Sequence, residues 1–237
     1  LDGSAARDDA PVRTLVSGTD FVSSPTLSPD GEHLAWITWD HPDMPWDNAA
    51  LHVGDLGADG TVGDQVVIDG GSGYSVAEPR WTEECELVHV SNASGFYNLY
   101  RTEGFPRRGT NREGWTSALR TRPLHPADAT FTYPAWQLGP HSFDVLDGEH
   151  LIASWARDGL WHLGTVRLSN GELEEWNTGW QPMGNVAAAG GRVVMLAGNE
   201  MALPSIIEVR RGAVQVLRGS SDVEALSVGV SFAEPVS

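Results

Sequence analysis

Ser24-Pro25-Thr26-Leu27-Ser28-Pro29-Asp30-Gly31 runs straight into His33-Leu34-Ala35-Trp36-Ile37, and this stretch decides the fold. Pro presets φ for the first central position of a tight turn, and Asp-Gly accepts the left-handed conformation that a hairpin needs. The apolar run that follows is strand-length. The pattern then returns. Glu78-Pro79-Arg80-Trp81-Thr82-Glu83-Glu84-Cys85 leads into Leu87-Val88-His89-Val90. Tyr133-Pro134-Ala135-Trp136-Gln137 leads, past Asp147-Gly148, into Leu151-Ile152-Ala153-Ser154. A fourth unit without proline runs from Asn185-Val186 through Val193-Val194-Met195-Leu196, and a fifth starts at Leu226-Ser227-Val228. Leu27, Trp81 and Trp136 sit at matching places in the first three units and are expected to be core anchors.

Each unit has one grammar: strand, turn, strand, loop, strand, turn, strand. In the first, Leu51 to Leu56 and Gln65 to Ile68 complete the set around Gly57-Ala58-Asp59-Gly60. Four antiparallel strands recurring at this period indicate an all-β fold, a β-propeller of four-stranded antiparallel blades. The 27 glycines and 14 prolines leave only short apolar segments, and none carries a sustained helical period. Residues 20–69, 74–125, 130–178 and 182–218 read as four blades. Residues 1–16 read as the end of a preceding blade, with Val12 to Val16 as its outermost strand. Residues 224–237 read as the start of a further strand or an exit toward another domain. Of 237 residues, four units and a fraction is what the period allows, so the expectation is the last four or so blades of a larger propeller.

Charge narrows the function. The 32 acidic residues against 15 basic ones give −17, and all 15 are arginine. Without lysine there is no P-loop and no Schiff-base or general-base lysine. A charge of this sign argues against nucleic-acid and anionic-membrane partners, which select clustered Lys/Arg. The single Cys85 forbids an intrachain disulfide and fits a reducing compartment, so the expected location is cytoplasmic. The start of the chain has neither a basic nor an apolar signal region.

Several strings are distinctive. They are Asp40-His41-Pro42-Asp43-Met44-Pro45-Trp46-Asp47, Val90-Ser91-Asn92-Ala93-Ser94-Gly95-Phe96-Tyr97-Asn98-Leu99-Tyr100-Arg101, Arg157-Asp158-Gly159-Leu160-Trp161, and Ala188-Ala189-Gly190-Gly191-Arg192-Val193-Val194. With the repeats, they make the chain similar to the propeller of bacterial prolyl-oligopeptidase-type serine peptidases, nearest the dipeptidyl-aminopeptidase/acylaminoacyl-peptidase branch. That resemblance implies a propeller, usually seven-bladed, joined to an α/β-hydrolase domain with a Ser-Asp-His triad. It implies that the propeller admits short peptides, excludes folded proteins, and holds the substrate's amino-terminal side. The expected function is therefore substrate gating and selection for a serine aminopeptidase or oligopeptidase acting on short peptides or aminoacyl amides. The expected partners are the hydrolase domain of the same protein and a short peptide. Two stretches depart from the pattern: Glu83-Glu84-Cys85 replaces the second Ser-Pro-Asp-Gly turn, and the connection Glu103 to Ala118 is long enough to raise the question of a functional loop.

The chain itself should be inactive. Gly70-Gly71-Ser72-Gly73-Tyr74 is a near miss for a nucleophile elbow, with Tyr74 in place of the last glycine and no helix following; Ser72 reads as inter-blade linker. Asp40, Asp43 and Asp47 lack the glycine and bidentate glutamate of a calcium loop. No metal and no cofactor is expected. Propeller topology places the loops between second and third strands, and the inter-blade linkers, on one face. Asp40 to Asp47, Asn92 to Phe96, Arg157 to Gly159, Asn199 to Pro204 and Tyr74 to Glu78 lie there. On that face Glu78 and Asp47 are candidates for a peptide's α-ammonium, Trp46 and Phe96 for a side chain, and Arg157 for a carboxylate or carbonyl. His41 and Asp158 are candidates for the interface with the hydrolase domain. The alternatives are local: His41, Trp46 and Asp47 holding their own loop, and Glu78 tying neighbouring strands. A different class, a self-contained binding propeller, uses the same turns. A five-bladed glycosidase needs converging carboxylates, and of the inner-strand starts Ser24, Glu78, Thr132 and Gly184 only one is acidic.

Overall fold

A computed structural model describes residues 12–107, 113–137, 139–210 and 212–220. It contains four sheets, each of four antiparallel strands in sequence order. Blade 1 holds β1 (Phe21–Leu27), β2 (His33–Trp39), β3 (Ala50–Leu56) and β4 (Val62–Gly70). Blade 2 holds β5 (Val76–Trp81), β6 (Leu87–Ser91), β7 (Asn98–Glu103) and β8 (Arg120–His125). Blade 3 holds β9 (Phe143–Val145), β10 (His150–Arg157), β11 (Leu160–Arg167) and β12 (Leu173–Glu175). Blade 4 holds β13 (Gln181–Ala189), β14 (Arg192–Asn199), β15 (Ala202–Arg210) and β16 (Ala213–Gly219). The fold is the all-β propeller architecture the repeats predict. Readings for residues 1–11 and 224–237 lie outside the described residues. Val12 to Val16, read as an outer strand, form no strand. No helix among the described residues is long and apolar enough to cross a membrane.

The core lies between blades rather than within them. Ile37, Leu51 and Val53 of blade 1 meet Val76, Trp81 and Leu87 of blade 2. Val88, Val90 and Leu99 of blade 2 meet Phe143, Leu151 and Trp155 of blade 3, with Phe131 from the linker between them. Ile152 and Leu163 of blade 3 meet Val186, Met195 and Ile207 of blade 4. A sheet with both faces in contact with neighbours reads as a nearly continuous apolar run, and β6 is buried at all five residues.

This arrangement corrects two of the three expected anchors. Trp81 is buried at 8% exposure, but Leu27 is 51% exposed and Trp136 is 71% exposed. Leu27 lies on the side of blade 1 that no described residue covers. Trp136 lies in the linker, because the first strand of blade 3 begins ten residues later than Tyr133, at Phe143. Among the described residues, exposed large apolar side chains carried by strands occur only on blades 1 and 4: Phe21, Val22, Leu27 and Val67 on one, Met183, Leu203, Ile206, Val216 and Leu217 on the other.

The described parts of the long Glu103 to Ala118 connection form a packing strap. Phe105 and Trp115 are 8% and 4% exposed, and a single 3-10 turn, Trp115–Ala118, positions the indole. Their rings close around the buried His33 of blade 1, at 5.5 and 5.3 Å between centroids, while Phe105 meets Trp81 edge-on at 4.8 Å. Further ties between blades are polar. Asp69 of β4 accepts from Tyr74 and pairs with His89 of β6 at 2.9 Å. Burial would raise the Asp69 carboxyl, but the hydrogen bond and charge of His89, helped by Tyr74, outweigh it and hold it at about 2.

Gly171, in the turn after β11, sits directly against the β8 backbone of blade 2. Its φ is +72°, and a Cβ there would stand 1.7 Å from the Leu124 carbonyl oxygen. Gly171→Ala combines backbone strain with a clash against fixed backbone, and a loss of about 2 kcal/mol or more is expected in urea unfolding. An unchanged midpoint would show that the two blades can separate there freely.

Candidate functional site

The first strands of blades 1, 2 and 4 share a bulge. Ser24, Glu78 and Asn185 have φ of 52°, 53° and 56°, and the strand pairing shifts register around each. A bulge bends the strand and re-aims a side chain. In blade 2 the re-aimed side chain is the Glu78 carboxylate. It opens on a cavity of about 330 Å³ lined by Ser24 and Pro25 of β1, Glu78 and Arg80 of β5, Pro45 of the β2–β3 loop, and Thr132, Tyr133 and His141 of the linker. The proline-bearing strings that reveal the repeat thus converge on one pocket.

Glu78 is deeply engaged. Its Oε1 accepts from Thr132 Oγ1 at 2.7 Å. Its Oε2 accepts from the Ser142 N–H at 2.7 Å and from Ser142 Oγ at 2.9 Å. Burial pushes the carboxyl up to about 7, against the pull of these donors and the Arg80 charge. Arg80 is paired with Asp144 of β9 at 3.3 Å, and Asp144 Oδ2 accepts from the Ala188 N–H of β13. Tyr133 stacks on Trp161 at 4.3 Å and its hydroxyl meets Ser154 at 3.2 Å. Burial drives that phenol up to about 12, with a contribution from the Glu78 charge. A carboxyl poised near neutrality in a cleft, beside fixed donors, is the electrostatic pattern of a binding or reacting group.

The other candidates are dispersed. Asp47 is exposed and caps its own loop, its Oδ2 accepting from the Met44 N–H at 3.0 Å. His41 follows a cis-peptide partner pattern, being joined to Pro42 by a cis bond, and its N–H donates to Asp20 Oδ2. Trp46 is 41% exposed, and its carbonyl accepts from the Tyr97 hydroxyl. Ser75 Oγ donates to the Pro45 carbonyl, so blade 2 holds the Asp40 to Asp47 loop in place. Phe96 is 44% exposed at the tip of the β6–β7 loop, outside the pocket lining. Arg157 faces Glu175 at 3.5 Å on blade 3, also outside it. Asp158 and Gly159 form a two-residue hairpin turn with φ of 52° and 79°, which accounts for both residue types by turn chemistry. The pocket therefore gathers Glu78 with Pro45 of the neighbouring loop, and leaves Asp47, Trp46, Phe96, Arg157, His41 and Asp158 outside its lining. Sequence reasoning missed Ser142, Arg80 and Tyr133 as its partners. The Glu78-Pro79-Arg80 string carried the signal for Arg80; Ser142 had none.

The two faces of the propeller differ. Among the described residues, the exposed large apolar side chains in connections between strands are Met44, Trp46, Phe96, Trp136 and Met201. All five lie on the face of the second-to-third-strand loops and the linkers, where the pocket opens. The opposite face of tight turns has none.

Known proteins give these features a class. No family model matches the chain, and no curated protein matches it. Solved structures do. A puromycin-hydrolyzing peptidase of Mycobacterium tuberculosis superposes with a TM-score of 0.80 at 30% identity, over 96% of this chain and 33% of that one. A puromycin hydrolase superposes at 0.78 with 27% identity, over 95% of this chain and 33% of its own. Prolyl oligopeptidase B from Galerina marginata, at 0.57 and 13% identity over 85% of this chain and 26% of its own, shares the fold. The chain is a propeller similar to the matching third of the puromycin-hydrolyzing structures, and it spans about a third of their length. The likeness is to a propeller portion of the puromycin-hydrolyzing peptidases, and the fold is shared with prolyl oligopeptidases.

Proposed function

We propose that this chain is the substrate-gating and substrate-selecting propeller portion of a serine peptidase whose catalytic domain lies in the same, longer protein. The Glu78 pocket receives the amino-terminal residue of a short peptide or aminoacyl amide, and Glu78 binds its ammonium group. The observation that carries this is the half-buried carboxylate re-aimed into the cavity with its donors already in place. The apolar tips Met44, Trp46, Phe96 and Trp136 support the pocket-bearing face as the one that meets the hydrolase domain. The uncovered strand faces of blades 1 and 4 suit further blades of the same propeller. A bacterial, cytoplasmic aminopeptidase is the fuller form of the reading, supported by the mycobacterial structure and by the lone Cys85.

Glu78→Gln in the full-length protein tests it. The Gln amide oxygen keeps the Ser142 donors, and its amino group can donate to Thr132 Oγ1, whose own proton turns to the Tyr133 carbonyl 3.1 Å away. The fold is retained and the charge is lost. A charge-assisted hydrogen bond contributes about 1.5–3 kcal/mol, so KM for a free-amine substrate such as alanyl 4-nitroanilide should rise roughly 10- to 100-fold with kcat little changed. The N-acetylated substrate should be unaffected. In the wild type, kcat/KM for the free amine should climb with pH through about 7 as Glu78 ionises, and fall as the substrate amine loses its proton near its usual pKa of about 8. An equal response of both substrates would refute the assignment.

A further inference from the structure

A second cavity lies between blades 3 and 4, on the same face as the Glu78 pocket. It holds about 250 Å³. Its lining includes Trp161 and His162 of β11, Glu175 of β12, Trp176 and Trp180 of the following linker, and Glu200 of the β14–β15 loop. The two cavities adjoin. Tyr133 lines the first, Trp161 lines the second, and these two rings stack at 4.3 Å as a partition. The walls of the second cavity are built structure. Trp176 and Trp180 pack against the core shared by blades 3 and 4. Asn199 Nδ2 donates to the Gly179 carbonyl at 2.9 Å and ties the β14–β15 loop to the linker. The Thr178 hydroxyl donates to the Trp180 carbonyl at 3.0 Å.

The two carboxylates of this lining are used unequally. Glu175 Oε1 lies 2.8 Å from His162 Nδ1, and its Oε2 faces Arg157 Nη2 at 3.5 Å from the rim. Glu200 is exposed, and among the described residues nothing pairs with its carboxylate. No arginine contributes to the lining itself. Indole faces are electron-rich and attract a cation, and a carboxylate supplies the counter-charge. A guanidinium suits such walls better than an ammonium. It is planar and weakly hydrated, it stacks on aromatic faces, and it forks onto a carboxylate. Arg157 already makes the second of these contacts at the rim, on Glu175. Sites for whole drug-sized ligands hold roughly 300–1,000 Å³, so this cavity is of a size for one side chain. We propose that the cavity walled by Trp161, Trp176 and Trp180 is a second binding site, for a guanidinium group carried by a peptide's arginine or by a small guanidine compound. The site stands independently of the Glu78 pocket. The peptide source rests on the reading of Glu78 as the ammonium-binding group, since it places a peptide on the other side of the Tyr133–Trp161 partition.

Saturation-transfer NMR titration of the full-length protein tests the site. The probe is N-acetylagmatine, a guanidinium whose amine is blocked so that Glu78 cannot hold it. The control is its urea isostere, which has the same shape and no charge. The guanidinium should bind, and the urea should bind at least several-fold more weakly. Trp180→Ala removes one indole face and should weaken the guanidinium roughly 2- to 30-fold. Glu200→Gln, at an exposed position outside any core, keeps the test readable if Trp180→Ala unfolds. It should weaken the probe several-fold, with a smaller effect in high salt. Glu78→Gln should leave the probe's affinity unchanged. The source is read from KM for Ala-Gly-Arg and Ala-Gly-Gly-Arg amides against their citrulline counterparts. A several-fold lower KM for an arginine peptide, abolished by Glu200→Gln, identifies a peptide's arginine as the ligand. Equal KM values with probe binding intact identify a free guanidine compound. No binding of the guanidinium, equal binding of the urea, or an affinity indifferent to Glu200→Gln and Trp180→Ala overturns the site. Because the probe carries no ammonium, that result leaves the Glu78 reading standing, and failure of the Glu78→Gln prediction leaves this site standing.

Discussion

Glu78→Gln should make the protein more stable at pH 8 and leave it nearly unchanged at pH 4. Glu78 holds its proton in the folded state up to about 7, whereas in the unfolded chain it ionises near its ordinary value of 4.5. Between those two values folding must take up a proton, so the wild type loses stability as pH rises through that window. The full loss, present above pH 7, is on the order of 3 kcal/mol, at about 1.4 kcal/mol for each pH unit of difference. Below pH 4.5 both states carry the proton and the contribution vanishes. Glutamine satisfies the same donors without a charge to bury, so the variant's advantage should grow from pH 4.5 and level off above 7. Urea unfolding of wild type and variant at pH 4, 6 and 8 measures this. A constant difference across the three would show that Glu78 is not the group that exchanges the proton. A side chain that destabilises the fold at neutral pH, where an isosteric amide would not, is what a binding site looks like in stability terms.

The blades were legible because turn chemistry and strand length are local. Ser28-Pro29-Asp30-Gly31 announces its hairpin, and Asp158-Gly159 its own. Spacing was a poorer guide to burial. Leu27, Trp81 and Trp136 are almost evenly spaced, yet Trp81 alone is in a core, because a propeller residue is buried only when a blade stands on each side of it. Leu27 has a neighbour on one side among the described residues. Trp136 sits in a linker that holds twelve residues more than its counterparts, which shifts β9 forward and carries the indole out to the surface. The site divides in the same way. Glu78 was legible as an inner-strand start bearing a carboxylate. Its αL backbone was not, since the residue before a proline rarely takes that region. Its partners Thr132 and Ser142 stand 54 and 64 residues away, and a serine at the end of a proline-rich linker carries no periodicity to mark it. Asp47, Arg157 and Asp158 have the right chemistry, but each spends it on its own loop or on a neighbouring strand.

Trp155→Ala should remove about 3–5 kcal/mol of stability and, in the full-length protein, also weaken the pocket. Trp155 is 1% exposed, stacked between Phe131 at 5.7 Å and His162 at 5.6 Å, in the core shared by blades 2 and 3. Truncating a buried tryptophan forfeits its transfer free energy and leaves a cavity that surrounding structure fills only in part. Here the cavity opens beneath Phe131, whose N–H donates to the Tyr97 carbonyl and whose carbonyl shares the single Ser142 hydroxyl proton with Glu78 Oε2. Phe131 is followed at once by Thr132, so its ring underlies two of the groups, Thr132 and Ser142, that hold the Glu78 carboxylate. A collapse there moves two of the residues that hold the carboxylate, and KM for free-amine substrates should rise several-fold at temperatures well below unfolding. Trp115→Ala is the control. At 4% exposure it should be destabilising to a similar degree, but it lies in the strap between β7 and β8, on the turn face, around His33 rather than Phe131. Its KM should stay at the wild-type value. If Trp115→Ala raised KM as much as Trp155→Ala, the loss would come from general loosening of the propeller, and the mechanical link from the inter-blade core through Phe131 to Glu78 would be wrong.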